Sequence, residues 1–312
     1  MSDLKLFAID ATGAHELKGT AMPLEKSLQA LLEKHMEAFF GVRFLASEYS
    51  TGKKHGGRID SLGLDENGTP VIFEYKRSTN ENVINQGLFY LDWLLDHRAE
   101  FQLLTLDRLD KEAADNIDWS RPRLVCVAGD FTKYDQYAVL QIDRNIELVR
   151  YRNYSGEYLA LELLTSTGAQ ATAAGGDGGS ATSPAQVSSK SASGEKTAAQ
   201  LYAQAPQHVR DLYDAVEELA ISFGDDVTKK VLKFYFAFRR LRNFACVEVH
   251  PQAQKIVVYA RVVDTDMTFE PGFTRNMKGI GHYGTGDLEI TLKSIADLER
   301  ARPLLEASYD GS

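Results

Sequence analysis

Between Ser166 and Lys196 the chain all but stops carrying apolar side chains of any size. Ala, Gly, Ser and Thr dominate, and Val187 is the one large aliphatic residue. A stretch such as AAGGDGGSATSP can neither bury surface nor hold a period, so 166–196 is expected to be a disordered linker. It divides the 312 residues into a first domain over 1–165 and a second over 197–312, each long enough to bury its own core.

Charge narrows what either domain can do. The formal net charge is -9; residues 1–165 hold 19 Lys and Arg against 26 Asp and Glu, and residues 197–312 hold 14 against 16. A protein that coats nucleic acid without selectivity needs a basic surface, so any contact with a polyanion must come from local clusters. Only Cys126 and Cys246 occur, far apart and both within apolar runs, which predicts buried reduced thiols rather than a disulfide framework. No apolar run is long enough to span a membrane, and MSDLKLFAID lacks the pattern of a secretion signal. A cytoplasmic location is expected.

In the first domain, Leu24, Leu28, Leu31, Leu32, Met36 and Phe39 recur at helical spacing and predict a helix over 24–40. A short strand at 44–48 is followed by a basic, glycine-containing loop, Lys53-Lys54-His55-Gly56-Gly57. The runs 58–64 and 71–76 flank Asp65-Glu66-Asn67-Gly68, a hairpin signal. Ser78 and Glu81 have capping-box spacing and open a helix to about 97. A helix over 101–116 and strands at 123–127, 146–151 and 158–164 complete an α/β core. The second domain reads as α+β: helix 198–220, strands at 233–239, 245–250, 255–262 and 287–292, and a last helix from 294 to about 307.

The hairpin carries the chemistry. Side chains alternate along a strand, so Glu74 and Lys76 project together while Tyr75 points away, and the turn brings Asp60 alongside them. Two carboxylates and an ammonium on one end of a sheet can hold a hard divalent cation, with the lysine beside the water it would activate. The same residues could instead form a cross-strand ion pair on a solvated face. The apolar neighbours Val71, Ile72, Phe73 and Tyr75 argue for a buried strand, where charges persist only when paired or ligating.

The segment GGRIDSLGLDENGTPVIFEYKRS, with Gln86-Gly-Leu-Phe-Tyr90 on the helix that follows, resembles the PD-(D/E)XK nuclease superfamily. It resembles in particular the catalytic domain of NucS-like endonucleases, and Gln86 and Tyr90 match the Q-x-x-x-Y motif of RecB-like members. The likeness spans about residues 24–97; the proline of the family's name is Ile59 here, at a variable position. It implies a restriction-endonuclease-like core, a mixed sheet flanked by helices, joined by the linker to a smaller α+β domain. By position it implies that Asp60 and Glu74 bind Mg²⁺ or Mn²⁺ with the backbone carbonyl of Tyr75. Lys76 would orient or deprotonate the attacking water, and Gln86 and Tyr90 would position a phosphate or the lysine. Members often add a glutamate from the first helix. Helical spacing leaves Glu25, Glu33 and Glu37 open, and the family's L-x-x-L-x-E-x-N/H region favours Glu33. Lys53, Lys54, His55, Arg58 and Arg77 would meet backbone phosphates; as residues alone, loop lysines read equally well as solubilising charge.

The activity implied is hydrolysis of phosphodiester bonds, more in keeping with a DNA endonuclease than an RNase, with the second domain in substrate or partner recognition. A role in restriction, repair or defence fits the same family, and a homodimer is allowed because many members cut duplexes as dimers. The alternative is a non-catalytic module, binding nucleic acid or protein, that kept the fold. The second domain resembles an uncharacterised module that accompanies such nuclease-like domains. Gly279-Ile-Gly-His-Tyr-Gly284 matches G-x-G-x-x-G in letters only, since a strand rather than a helix follows, and no nucleotide cofactor is expected. The basic aromatic stretch 229–242 reads first as a core strand with wet ends and second as a single-strand binding surface.

Overall fold

The computed structural model describes residues 4–52, 56–77, 82–167, 196–261 and 267–312. Almost all of the expected linker, Lys53 to His55, the capping box from Ser78 to Glu81 and the end of the 255–262 strand lie outside them. Contacts divide the chain into two units, Met1–Thr167 and Gly168–Ser312.

The first unit is a mixed α/β structure. Its seven-stranded sheet runs β3 (Gly19–Thr20), β8 (Asn145–Tyr154), β7 (Arg123–Ala128), β6 (Pro70–Lys76), β5 (Arg58–Asp65) and β4 (Val42–Ser50), with β9 (Tyr158–Ser166) also paired to β8. Strands β4, β5 and β6 are antiparallel, β6, β7 and β8 are parallel, and β9 returns antiparallel. The exposed hairpin of β1 (Leu6–Asp10) and β2 (Gly13–Leu17) buries no alternate residue, so period-two reasoning had nothing to detect. Strand β9 and its sequel extend further than expected: Ser166 is still paired, and the buried Thr167 bonds both backbone groups of Ile146.

The expected helix over 24–40 is two helices, α1 (Glu25–Lys34) and α2 (Met36–Phe40), broken at His35, whose φ of -123° leaves the helical region. The break lets Phe40 pack edge-on against Phe73 at 5.0 Å, while Leu24 becomes an exposed cap. Helix α3 (Val83–Asp96) covers the opposite sheet face, where Tyr90, Leu91 and Leu94 join Ile72, Leu124, Cys126, Ile146 and Leu148. The 101–116 helix likewise divides, into α4 (Arg98–Arg108) and α5 (Lys111–Asp115), because Asp110 caps the second by accepting from Ala113 N–H at 2.7 Å. Helix α6 (Lys133–Val139) opens on a capping box between Thr132 and Asp135.

A buried ion cluster fixes the hairpin's far end. Arg123, 1% exposed, donates to Glu147 twice, at 3.0 and 2.9 Å, and to Asp65 Oδ2 at 3.0 Å. Asp65 Oδ1 accepts from the N–H groups of Asn67 and Thr69, so one carboxylate closes the turn and anchors the arginine. Burial works against the guanidinium, but the two carboxylates outweigh it and raise its pKa. Arg123→Ala would remove the cation that two buried carboxylates share and is expected to cost about 3–5 kcal/mol, readable as a lowered urea midpoint of the first unit.

The second unit is α+β. Six antiparallel strands run β10 (Thr228–Val231), β11 (Phe236–Arg239), β12 (Asn243–His250), β13 (Lys255–Ala260), β15 (Leu288–Leu292) and β14 (Thr274–Asn276). The first expected helix is interrupted: α7 (Ala198–Gln204) stops and α8 (Gln207–Ser222) begins after Pro206, which forces Ala205 into the extended region. With α9 (Ile295–Asp310) they share one core with Phe236, Phe238, Val247, Val258 and Ile290.

Candidate functional site

The register of β5 and β6 places Asp60 opposite Glu74, but the ladder ends one pair earlier, at Ser61 and Phe73. Beyond it the strands part, and carboxylates take the place of backbone partners. Asp60 N–H donates to Glu74 Oε1 at 3.3 Å, and Tyr75 N–H donates to Asp60 Oδ2 at 2.9 Å. Strand β6 stays straight because its other edge is paired in parallel with β7 through Lys76 and Ala128. The two acids therefore sit side by side on the α3 face of the sheet, with Lys76 one alternation further along.

Glu74 is fully buried and Asp60 partly so. Burial, then the neighbouring Asp60 charge, pushes the Glu74 carboxyl up to about 9. Burial likewise lifts Asp60 to about 6, against the pull of the Tyr75 N–H and Lys76. At neutral pH the pair therefore retains one proton, on Glu74. Lys76 Nζ lies 3.3 Å from Glu25 Oε1; burial opposes its charge, but Glu25, Asp60 and Glu74 together raise its pKa. The lysine is an ammonium, and Cys126 beside Glu74 is held as a thiol by burial and by that carboxylate.

No described residue donates to Glu74 Oε2, a buried carboxylate oxygen that would otherwise lack any partner. Among the described residues no three His, Cys, Asp or Glu side chains close on one point. The oxygen donors that meet here are the carboxylates of Asp60 and Glu74, the hard ligand type that divalent cations such as Mg²⁺ take.

The other candidates fall in different places. Glu33 does not touch this cluster; its Oε1 accepts from Ser61 Oγ at 2.6 Å and lies 3.0 Å from Gln29 Nε2, on the α1 side of the sheet. Glu25, one of the three glutamates that helical spacing left open, is the α1 carboxylate that meets Lys76. Gln86 and Tyr90 meet each other at 3.5 Å, and Tyr90 Oη accepts from Arg58 N–H at 3.0 Å; neither bonds Asp60, Glu74 or Lys76. Gly57 allows this approach, since a Cβ there would lie 2.6 Å from the Tyr90 ring. The Arg58 guanidinium pairs with Glu48 at 2.5 Å, and Arg77 is exposed at the end of β6. Glu48, on β4 opposite Asp60, has φ of +53°, uncommon for a residue with a side chain.

In the second unit, the basic stretch resolves into β10 and β11 with Tyr235, Phe236 and Phe238 buried, while Phe234 is half-buried and stacks on Tyr283. Phe236 and Phe238 are core residues, Lys229 pairs with Glu217 beneath Tyr213, and Arg240 pairs with Asp226 at 2.7 Å. The glycine motif is a loop between β14 and β15, where Gly284, at φ +81°, presses against Cys246. No described helix is long and apolar enough to cross a membrane.

Comparison with known proteins adds three similarities. An uncharacterised protein of Haemophilus influenzae is 26% identical over 325 residues, covering 97% of this chain and 98% of its own. Among solved structures, an EndoMS–dsDNA complex aligns with a TM-score of 0.24 and 20% identity over 46% of this chain, so the match spans about half of that chain, 49%. Residues 198–312 match a family described as a domain of unknown function, DUF5655.

Proposed function

We propose that the first unit is a divalent-cation-dependent phosphodiesterase of the PD-(D/E)XK type, acting on nucleic acid and on DNA rather than RNA, with the second unit serving substrate or partner recognition. The observation that carries this reading is the parting of β5 and β6 at Asp60 and Glu74. Two carboxylates are driven together there beside an ammonium, and one buried oxygen is left with no donor. A merely structural ion pair would satisfy that oxygen.

Asp60 and Glu74 would hold Mg²⁺ or Mn²⁺ together with the Tyr75 carbonyl. When bound, the cation supplies charge for the phosphoryl oxygens and makes water a usable nucleophile. Lys76 acts as a cation, stabilising negative charge that builds on the phosphate, rather than as a base. Glu25 sets the resting place of that ammonium. Tyr90, through the Arg58 N–H, fixes the start of β5, and Gln86 backs its hydroxyl. Arg77, Arg58, Lys53, Lys54 and His55 are the cations placed in sequence to meet flanking phosphates.

The test incubates the full chain with plasmid, linear duplex, single-stranded DNA and RNA, in Mg²⁺, Mn²⁺ or EDTA. Cleavage is expected with either cation, none in EDTA, and none with Asp60→Ala. Identical behaviour of wild type and Asp60→Ala under every condition overturns the enzyme reading and leaves the non-catalytic binding module.

A further inference from the structure

Both backbone polar groups of Asp60 are met by side chains. Its N–H goes to Glu74, and its carbonyl accepts from the side-chain amide of Gln29 at 2.9 Å. Gln29 reaches in from α1 and is 6% exposed, on a helix whose other buried residues are Leu28 and Leu32. The same Nε2 lies 3.0 Å from Glu33 Oε1 and 3.1 Å from Ser47 Oγ. An amide nitrogen has two hydrogens, so three acceptors at bonding distance keep it saturated whichever two it serves. Glu33 is itself anchored by Ser61, which follows Asp60 on β5 and pairs with Ser47 on β4. Gln29 thus bonds the Asp60 carbonyl from the sheet face opposite the carboxylates, and Glu33, Ser47 and Ser61 close around its amide.

We infer that Gln29, braced by Glu33, is a positioning residue for Asp60, fixing its backbone so that the Asp60 carboxylate stays beside Glu74. The inference rests on the phosphodiesterase reading and assigns Glu33 a bracing part on the far side of the sheet. A buried glutamine in this place needs its hydrogen bonds, and the acceptor it serves is the carbonyl of the residue whose side chain matters. With the amide gone, that carbonyl loses the bond that fixes the Asp60 backbone, and the Asp60 carboxylate is no longer held at Tyr75 N–H.

The experiment measures site-resolved amide hydrogen exchange in the metal-free full chain, alongside single-turnover cleavage. Gln29→Met keeps length and apolar packing but removes the donor. It is expected to change exchange at Asp60 and Tyr75 by about tenfold while Leu62 and Leu64 keep theirs, and to lower kcat about tenfold with KM within about twofold. Glu33→Ala should shift the same two amides, and Glu33→Gln, which keeps the acceptor oxygen, should restore them; a residue needed for its charge would not be rescued. Unchanged exchange at Asp60 and Tyr75 in folded Gln29→Met overturns the inference, as does an equal change along the whole of β5. Should Gln29→Met fail to fold, the Glu33 pair decides by the same criterion. If wild type cleaves nothing, the phosphodiesterase reading fails while the exchange result still judges the role of Gln29.

Discussion

Lys76→Met is expected to slow divalent-dependent cleavage by about 10²–10³-fold in single-turnover assays, with KM little changed. The side chain is 12% exposed, sits among Glu25, Asp60 and Glu74, and carries its charge at any working pH. A cation so placed stabilises charge that appears on the phosphate only as the bond to water forms, so its loss falls on kcat. Lys76→Arg keeps the charge but spreads it over a planar fork on a longer stem, and should recover only part of the rate. Folding is expected to survive, because Met fills the same volume and Glu25, 38% exposed, can turn to solvent. Full activity in Lys76→Met would reduce the lysine to an ion-pair partner of Glu25.

What could be read beforehand follows from the range over which each force acts. The juxtaposition of Asp60, Glu74 and Lys76 was legible because a hairpin is local: its turn fixes the register, and strand alternation fixes the face. Gln29 was not, because a polar residue bordering an apolar helix stripe looks the same whether it meets water or a peptide carbonyl 31 positions away. The same ambiguity let the family pattern favour Glu33, where the fold brings Glu25 to the lysine; only the path of α1 over the sheet distinguishes them. Arg123 read as the start of a strand, since its partners Asp65 and Glu147 are 58 and 24 positions distant. Pro206, by contrast, was a visible helix stop, and reading through it joined α7 to α8.

Cation affinity is expected to rise steeply with pH, by about tenfold per unit while one proton is displaced. Glu74 is lifted to about 9 and Asp60 to about 6, so binding at pH 7 must expel the proton the pair retains, and below about 6 it must expel two. Calorimetry in buffers of different ionisation enthalpy should find about one proton released per Mg²⁺ at pH 7. The same shifts govern stability of the metal-free protein. Both folded pKa values lie above the ordinary carboxylate range, so once pH exceeds about 4 the folded state binds protons that the unfolded chain has released. Stability contributed by the pair is therefore greatest in acid and falls as pH rises, until about 9 where Glu74 is ionised. The expected fall is on the order of a few kcal/mol, and saturating Mg²⁺ should reverse it because the cation replaces the proton. Glu74→Gln mimics the protonated carboxyl: it should flatten the pH dependence of the thermal midpoint between about pH 6 and 9, where Glu74 is the member of the pair that still holds its proton. It should also weaken Mg²⁺ binding. A wild-type midpoint that rises from pH 6 to 9 without cation would show that the two carboxylates are not forced together as the parting of β5 from β6 requires.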